Sequence, residues 1–137
     1  MKSIITFACM LISLLATTAF AADAVSDAVA ADAALGVYKG RLIVTANKIT
    51  EYDFEAEILK IDPATGKVII KVTSDFYTKK EITRKNCVLV TDKPGLAFNC
   101  KGENWHENYE VSGDSLKAKA TSTSNYSYSI SATKVKK

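Results

Sequence analysis

The chain contains a single histidine, so the chemistry that its side chains can perform is limited from the start. His106 lies between Trp105 and Glu107. A nucleophilic triad or a histidine-ligated metal needs partner side chains at defined geometry, and no such set surrounds this histidine in the sequence. A lone histidine beside a tryptophan is typical of a rim or turn position. We therefore predict no catalytic residue, no metal ligand and no cofactor, and we take Trp105 and His106 as candidates for an interaction rim.

Four acidic residues follow one another at alternate positions, namely Glu51, Asp53, Glu55 and Glu57. A glycosidase needs two carboxyl groups that face each other across a substrate. Residues at alternate positions of a β-strand instead share one face. We therefore interpret this stretch as a solvated outer face, with Lys71 opposite Glu57 on the next strand.

Of the three cysteines, Cys9 lies in the amino-terminal segment expected to be removed on export, so Cys87 and Cys100 are predicted to form a disulfide in an oxidising compartment. Residues 92–95 form a turn between two β-prone runs, NCVLVT and LAFNCK. If Thr91 pairs with Leu96 across this turn, Cys87 falls directly opposite Cys100, within disulfide reach. Two cysteines with no nearby histidine make a poor zinc site.

From Gly36 onward, apolar and polar residues alternate with the period of β-strands. Residues 62–66 read DPATG and have the composition of a tight turn. If Ile61 pairs with Lys67 across this turn, Ile58 meets Ile70 on the inner face. This segment is the most clearly predicted hairpin.

A second hairpin is predicted near the carboxyl terminus, with residues 123–125 as its loop. This register places Ala120 opposite Tyr128 and Ala118 opposite Ile130. Small side chains opposite large ones are typical of a barrel interior or a sandwich core. We expect less regular strands at 76–83 and 105–111.

The fold class predicted from these segments is all-β. About eight strands in one antiparallel meander are expected to close as an up-and-down barrel over residues 36–137, with a two-sheet β-sandwich as the alternative.

The first 35 residues are expected to lie outside this domain. Lys2, the apolar run from Ile4 to Leu15 and the small residues Ala19 and Ala21 have the order of a helical signal peptide covering 1–21, cleaved between Ala21 and Ala22. The run is shorter than the roughly 20 apolar residues of a membrane span, so we expect no stable membrane anchor. Residues 22–35 are rich in Ala and Asp and are predicted to form a flexible leader. The expected location is the periplasm or the extracellular medium.

Gly36-Val37-Tyr38 opens the first predicted strand, and Lys134 or Lys136 closes the last. Both ends of the predicted domain thereby resemble the calycin group of lipocalin-like small β-barrels, in which a Gly-x-aromatic sequence opens the first strand and a basic residue closes the last. The segment 111–136 is similar to the closing strands of bacterial lipocalin-like domains. The resemblance implies a barrel with one end open to a ligand, although Tyr38 stands where the group usually has Trp and lysine where it usually has Arg.

Aromatic residues provide the strongest functional prediction. Those expected to point inward and to line a ligand pocket are Tyr38, Phe54, Phe98, Tyr126 and Tyr128. The leading hypothesis is a non-enzymatic, monomeric barrel that binds a small apolar or amphipathic molecule. The alternative is a protein-binding module, such as an inhibitor of a hydrolase or a cell-envelope interaction protein. The formal net charge is +3, and the basic excess is scattered apart from two clusters, Lys79, Lys80, Arg84 and Lys85, and Lys134, Lys136 and Lys137. For an exported chain we expect no nucleic-acid partner.

Overall fold

A computed structural model describes residues 30–92, 95–122 and 126–136. The compact unit Ala31–Lys137 contains all eight strands of the described chain. The strands are β1 (Gly36–Thr45), β2 (Ile49–Asp62), β3 (Lys67–Thr73), β4 (Glu81–Leu89), β5 (Leu96–Lys101), β6 (Trp105–Ser112), β7 (Ser115–Ser122) and β8 (Ser127–Lys134). The predicted signal peptide and most of the predicted leader lie outside the described residues.

The eight strands form one closed antiparallel barrel in chain order, which confirms the predicted up-and-down meander rather than the two-sheet sandwich. Closure is made by β1, which pairs with β2 along one edge and with β8 along the other. Because β1 begins and β8 ends at the same end of the barrel, we call this the terminal end. The opposite end carries the connections 46–48, 74–80 and 102–104, and we call it the aromatic end.

The β2–β3 hairpin confirms the predicted inner register in its middle and corrects it near the turn. Ile58 pairs with Ile70 as predicted, but Lys67 pairs with Asp62 rather than with Ile61. A β-bulge at Leu59 takes up one extra residue and turns the Leu59 side chain outward, where it is 44% exposed.

Asp62 explains where that hairpin turns. Its side chain accepts a hydrogen bond from the backbone N–H of Ala64 at 3.0 Å, and its carbonyl accepts one from Gly66 at 2.8 Å. Gly66 has φ of +75°, which a residue without a Cβ adopts at low cost. The local hydrogen bonds therefore make Asp62 the last residue of β2.

The predicted strand at 76–83 is wrong over its first five residues, because 74–80 form a loop and β4 begins only at Glu81. Ser74 organises this loop. Its hydroxyl donates to the carbonyl of Asp53 at 2.7 Å and accepts the N–H of Phe76, while its own N–H donates to Lys80 at 2.9 Å. Side-chain hydrogen bonding to nearby backbone competes with strand pairing, and here it holds Phe76 over the end of the barrel.

The C-terminal hairpin has the predicted register. Ala120 pairs with Tyr128 and Ala118 with Ile130. All four side chains are buried in the single interior core. The predicted loop at 123–125 lies outside the described residues.

The terminal end is covered by the residues that precede β1. Residues 31–34 form a helical turn, with Ala31 and Ala34 buried. The Tyr38 hydroxyl donates to the carbonyl of Ala34 at 2.7 Å, and the Lys134 ammonium donates to the carbonyl of Ala33. This last part of the segment predicted to be flexible is therefore held against the barrel by hydrogen bonds and by burial of its alanines.

Candidate functional site

Six side chains form a polar cluster inside the aromatic end of the barrel. Its centre is Glu107 on β6, a carboxylate with no exposed surface. The other members, which surround it, are Tyr77, Arg84, Trp105, Tyr109 and Tyr128. We call these six residues the polar cluster.

Three tyrosine hydroxyls donate hydrogen bonds to the Glu107 carboxylate. Tyr109 donates to Oε1 at 3.0 Å, Tyr77 donates to Oε2 at 3.2 Å, and Tyr128 donates to Oε2. Such charge-assisted hydrogen bonds replace the hydrogen bonds to water that a carboxylate loses on burial.

The Arg84 guanidinium supplies the opposite charge. Its Nε lies 2.8 Å from Glu107 Oε1, and its Nη2 donates to Oε2 at a long 3.4 Å. The side chain of Arg84 is only 9% exposed. The Nε–H is not aligned with Glu107 despite the short distance, so among the described residues this buried donor has no hydrogen-bond acceptor. The contact with Glu107 is therefore an ion pair more than a hydrogen bond.

Aromatic rings cover the guanidinium. The Trp105 ring centroid lies 3.8 Å from Arg84 Cζ, and the Tyr77 centroid lies 5.3 Å from it. Cation–π contacts of this kind strengthen when they are shielded from water.

Strand alternation and one small residue place the cluster. Trp105, Glu107 and Tyr109 occupy alternate positions of β6 and therefore point to the same inner face. Glu107 pairs with Ala120 on β7, which in turn pairs with Tyr128 on β8. The small side chain of Ala120 leaves the space through which the Tyr128 hydroxyl reaches Glu107.

Burial raises the pKa of all three tyrosines, and the negative charge of Glu107 raises them further. Burial by itself lowers the pKa of Arg84, but Glu107 and the neighbouring phenols raise it more, so the net direction is upward. At neutral pH the tyrosines are therefore neutral donors and Arg84 is a cation.

A second set of aromatic side chains lies around the cluster at the same end. Phe76, in the loop 74–80, has its ring centroid 5.6 Å from Tyr52, 6.1 Å from Tyr126 and 4.9 Å from Tyr128. Tyr52, Phe76 and Tyr126 are half-buried, and we call these three residues the aromatic rim. Each therefore keeps part of its ring surface exposed.

Strand pairing is shortest between β4 and β5, next to the cluster. These strands pair at three positions, Cys87–Cys100, Val88–Asn99 and Leu89–Phe98, and among the described residues β5 offers no partner to residues 81–86. We call this short β4–β5 pairing the seam. The Trp105 ring spans it, because the ring contacts Arg84 on β4 and also fills the space beside Gly102. A Cβ at Gly102 would lie 2.0 Å from the Trp105 indole nitrogen.

The predicted disulfide is present between Cys87 and Cys100, in the predicted register. Cys100 pairs with Glu107 on its other side, so the disulfide borders the polar cluster. Both cysteines are buried.

The five predicted ligand-lining aromatics do not meet in one place. Tyr38, Phe54, Phe98 and Tyr128 are buried in the barrel core, and Tyr126 is half-buried at the aromatic rim. Tyr38 bonds to the helical turn at the terminal end, and Phe98 stacks on Tyr109 with centroids 4.8 Å apart. Tyr128 belongs to the polar cluster.

Trp105 and His106 are adjacent in sequence but lie on opposite faces of β6. Trp105 packs on Arg84, whereas His106 pairs with Lys101 and Thr121. His106 Nε2 is buried and has no hydrogen-bond partner among the described residues. The structure therefore does not bring the two rim candidates together.

Sequence reasoning missed Arg84 and Glu107, the two charged members of the cluster. The signal for Glu107 was present, because it has the same alternation phase as Trp105, Tyr109 and Val111. The signal for Arg84 was hidden by a register shift. Arg84 pairs with Ile70 but Cys87 pairs with Val68, so inward residues change from even to odd numbers along β4.

The acidic stretch on β2 lies on the outer face, as predicted, and its carboxylates are paired with cations. Glu57 lies 3.4 Å from Lys71 across the hairpin, and Arg41 on β1 bonds to both Glu51 and Asp53. These carboxylates face neighbouring strands rather than one another.

No group of three or more His, Cys, Asp or Glu side chains in the described part of the chain is arranged to hold a metal ion. Within the same residues, no helix has the length and apolar composition needed to cross a membrane. No family model, curated protein or solved structure matches this chain.

Proposed function

We propose that this barrel binds a small amphipathic molecule at its aromatic end, with the apolar part of the molecule against the aromatic rim and its polar group on the polar cluster. The observation that carries the proposal is the buried Arg84–Glu107 pair beneath partly buried aromatic residues, in a barrel whose other buried residues are almost all apolar.

The energetics of buried charge support a functional role for the pair. Removing two ions from water costs several kcal/mol for each, and their mutual attraction often only offsets this cost. Well-packed apolar residues would stabilise such a small barrel at least as well. We therefore expect the Arg84–Glu107 pair to serve ligand binding rather than stability.

The aromatic rim supports the amphipathic character of the ligand. Small-molecule sites combine apolar and aromatic walls with a few polar groups that set orientation. Phe76 and Tyr126 provide wall surface, and Tyr77 and Arg84 provide polar atoms directly beneath them. Tyrosine is suited to this arrangement because it has an apolar ring and a polar hydroxyl.

The proposal extends to the setting of the protein. We infer that the chain is exported, with cleavage between Ala21 and Ala22, and that it acts as a binding protein rather than as an enzyme. The resemblance to lipocalin-like barrels supports this inference, since such barrels hold ligands at one end.

Native mass spectrometry of the protein purified from its own host tests the proposal. We expect a bound mass of a few hundred daltons that is released by acid denaturation. A clean mass of the disulfide-bonded chain would contradict tight ligand binding and favour the protein-binding alternative.

A titration with amphiphiles of defined structure provides the quantitative test. Trp105 is the only tryptophan and contacts Arg84, so its fluorescence reports on the polar cluster. We expect Phe76→Ala to weaken binding about tenfold, equivalent to about 1.4 kcal/mol. Ile49→Ala is the matched control, because Ile49 is an apolar residue that is 75% exposed at the same end of the barrel. Equal effects of the two substitutions would exclude the aromatic rim as the binding surface.

A further inference from the structure

We propose that the polar group of the ligand is an uncharged hydrogen-bond acceptor, such as a ketone or ester carbonyl, and that it binds to Arg84. This inference rests on the proposed function and specifies the chemistry of the same site.

The first step is that Glu107 has no remaining capacity to accept a hydrogen bond. A carboxylate has about four lone-pair positions. Tyr77, Tyr109 and Tyr128 occupy three of them, and Arg84 contacts both oxygens. A ligand that offers only donors, such as an ammonium group, therefore has no acceptor to bind here.

The second step is that Arg84 has donors to spare. A guanidinium carries five N–H groups, and Arg84 directs one of them, on Nη2, to Glu107 at 3.4 Å. Its Nε lies 2.8 Å from Glu107 Oε1, but its N–H is not aligned with that oxygen and has no other acceptor among the described residues. An aligned ligand acceptor would complete the pairing of this buried donor.

The packing around Arg84 limits the direction from which a ligand can approach its guanidinium. The Trp105 ring covers a face of the guanidinium at 3.8 Å, so that face is closed to a ligand. The N–H groups of a guanidinium lie in its plane, so a ring stacked on one face does not cover them. The expected contact is therefore an acceptor atom approaching in that plane.

The charge balance of the site disfavours an anionic ligand. The charges of Arg84 and Glu107 neutralise each other, and these two residues are the charged groups that influence the pKa of all three cluster tyrosines. A bound carboxylate would leave one uncompensated negative charge in a site where Glu107 is fully buried. Such a charge is costly at low dielectric, whereas a carbonyl brings an acceptor without net charge.

The experiment compares compounds that share a straight ten-carbon chain and differ in the polar group. We would titrate the full protein with 2-decanone, decanoate and decyltrimethylammonium, using Trp105 fluorescence to obtain each Kd. We expect 2-decanone to bind about tenfold more tightly than decanoate, and decyltrimethylammonium to bind least well.

The decisive variant is Glu107→Gln, which removes the negative charge at nearly constant shape. Arg84 then carries an unbalanced positive charge, so we expect decanoate to become the preferred ligand. Glu110→Gln is the matched control, because Glu110 lies on the same strand with its side chain exposed, and we expect it to keep the order of the unmodified protein.

The outcomes distinguish failure of the proposed function from failure of the inference about the polar group. If none of the three compounds binds the unmodified protein, the proposed function is wrong. If decanoate binds the unmodified protein as well as 2-decanone does, or if Glu107→Gln leaves the order unchanged, the inference about the polar group is wrong while amphiphile binding stands.

A second measurement applies even where Glu107→Gln does not fold. The carbonyl stretching band of ¹³C-labelled 2-decanone, bound to the unmodified protein, is expected to shift to lower frequency than in a hydrocarbon solvent. A hydrogen bond to a guanidinium weakens the C=O bond in this way, and an unshifted band would overturn the proposal.

Discussion

The two ends of this barrel are built on different physical principles. At the terminal end, Ala31 and Ala34 are buried, and the Tyr38 hydroxyl bonds to a neutral backbone carbonyl. At the aromatic end, an ion pair and three tyrosine hydroxyls occupy the interior beneath partly buried aromatic residues. The terminal end therefore buries mainly apolar surface, whereas the aromatic end buries charged groups at a cost in desolvation.

The largest expected effect comes from removing the centre of the polar cluster. Glu107→Ala leaves Arg84 buried without its counter-charge and leaves three hydroxyls without an acceptor. We expect a loss of about 3–5 kcal/mol in the free energy of unfolding, measured by urea denaturation. The control is Glu110→Ala, which should change stability by less than about 0.5 kcal/mol. Similar losses for both would mean that the cluster has no special energetic role.

The next largest loss of stability is expected from removing the disulfide beside the polar cluster. Cys87 and Cys100 are separated by 13 positions, and closing a loop of this size contributes about 3 kcal/mol in the chain-entropy description. We expect Cys87→Ala combined with Cys100→Ala to lower stability by about that amount. Because β4 and β5 pair at three positions, hydrogen exchange should accelerate first in these two strands. Uniform acceleration around the barrel would contradict the view that this seam is locally weak.

A smaller loss of stability is expected when one tyrosine hydroxyl is removed at either end of the barrel. Tyr128→Phe removes a donor to a buried carboxylate and should cost about 1.5–3 kcal/mol. Tyr38→Phe removes a donor to the carbonyl of Ala34 and should cost about 0.5–1.5 kcal/mol. Both substitutions keep the ring, so thermal denaturation compares the hydroxyls alone. Equal losses would remove the energetic distinction between the two ends.

The smallest expected effect is a loss of stability that appears only at alkaline pH. Burial raises the pKa values of Tyr77, Tyr109 and Tyr128 in the folded protein above the usual value of about 10. Above that pH the unfolded chain binds fewer protons than the folded chain, so stability falls as pH rises. Unfolding free energies measured from about pH 8 to pH 11 should show this decline, and Tyr128→Phe should make it shallower. A flat profile would mean that these phenols ionise as readily in the fold as in the unfolded chain.

Much of the fold was predictable because strand alternation and turn composition are local properties. The Cys87–Cys100 pairing followed from the length of one turn, and the Ala120–Tyr128 pairing followed from the phase of two neighbouring strands. The register error at Ile61 arose where a bulge at Leu59 broke the strict period of two. Bulges depend on how strands twist around a closed barrel, and a local pattern does not specify them.

The candidate site was predictable only in part. The aromatic residues were expected to point inward, and Tyr128 does reach the polar cluster. Arg84 was assigned to a short basic cluster with Lys79, Lys80 and Lys85 and not to the site, because the register shift in β4 conceals its inward phase. Tyr77 was placed in a strand, but the loop around Ser74 carries it instead.

By itself, the sequence determined the all-β class, the meander, the disulfide and the charged outer face of β2. These features depend on residues that are neighbours in the chain or across a hairpin. The tertiary structure alone decided that Arg84, Glu107 and Tyr128, which belong to three different strands, meet in one place. Closure of the barrel brings strands β4, β6 and β8 around a common interior, and contacts across that interior follow from its curvature and from the small side chain of Ala120.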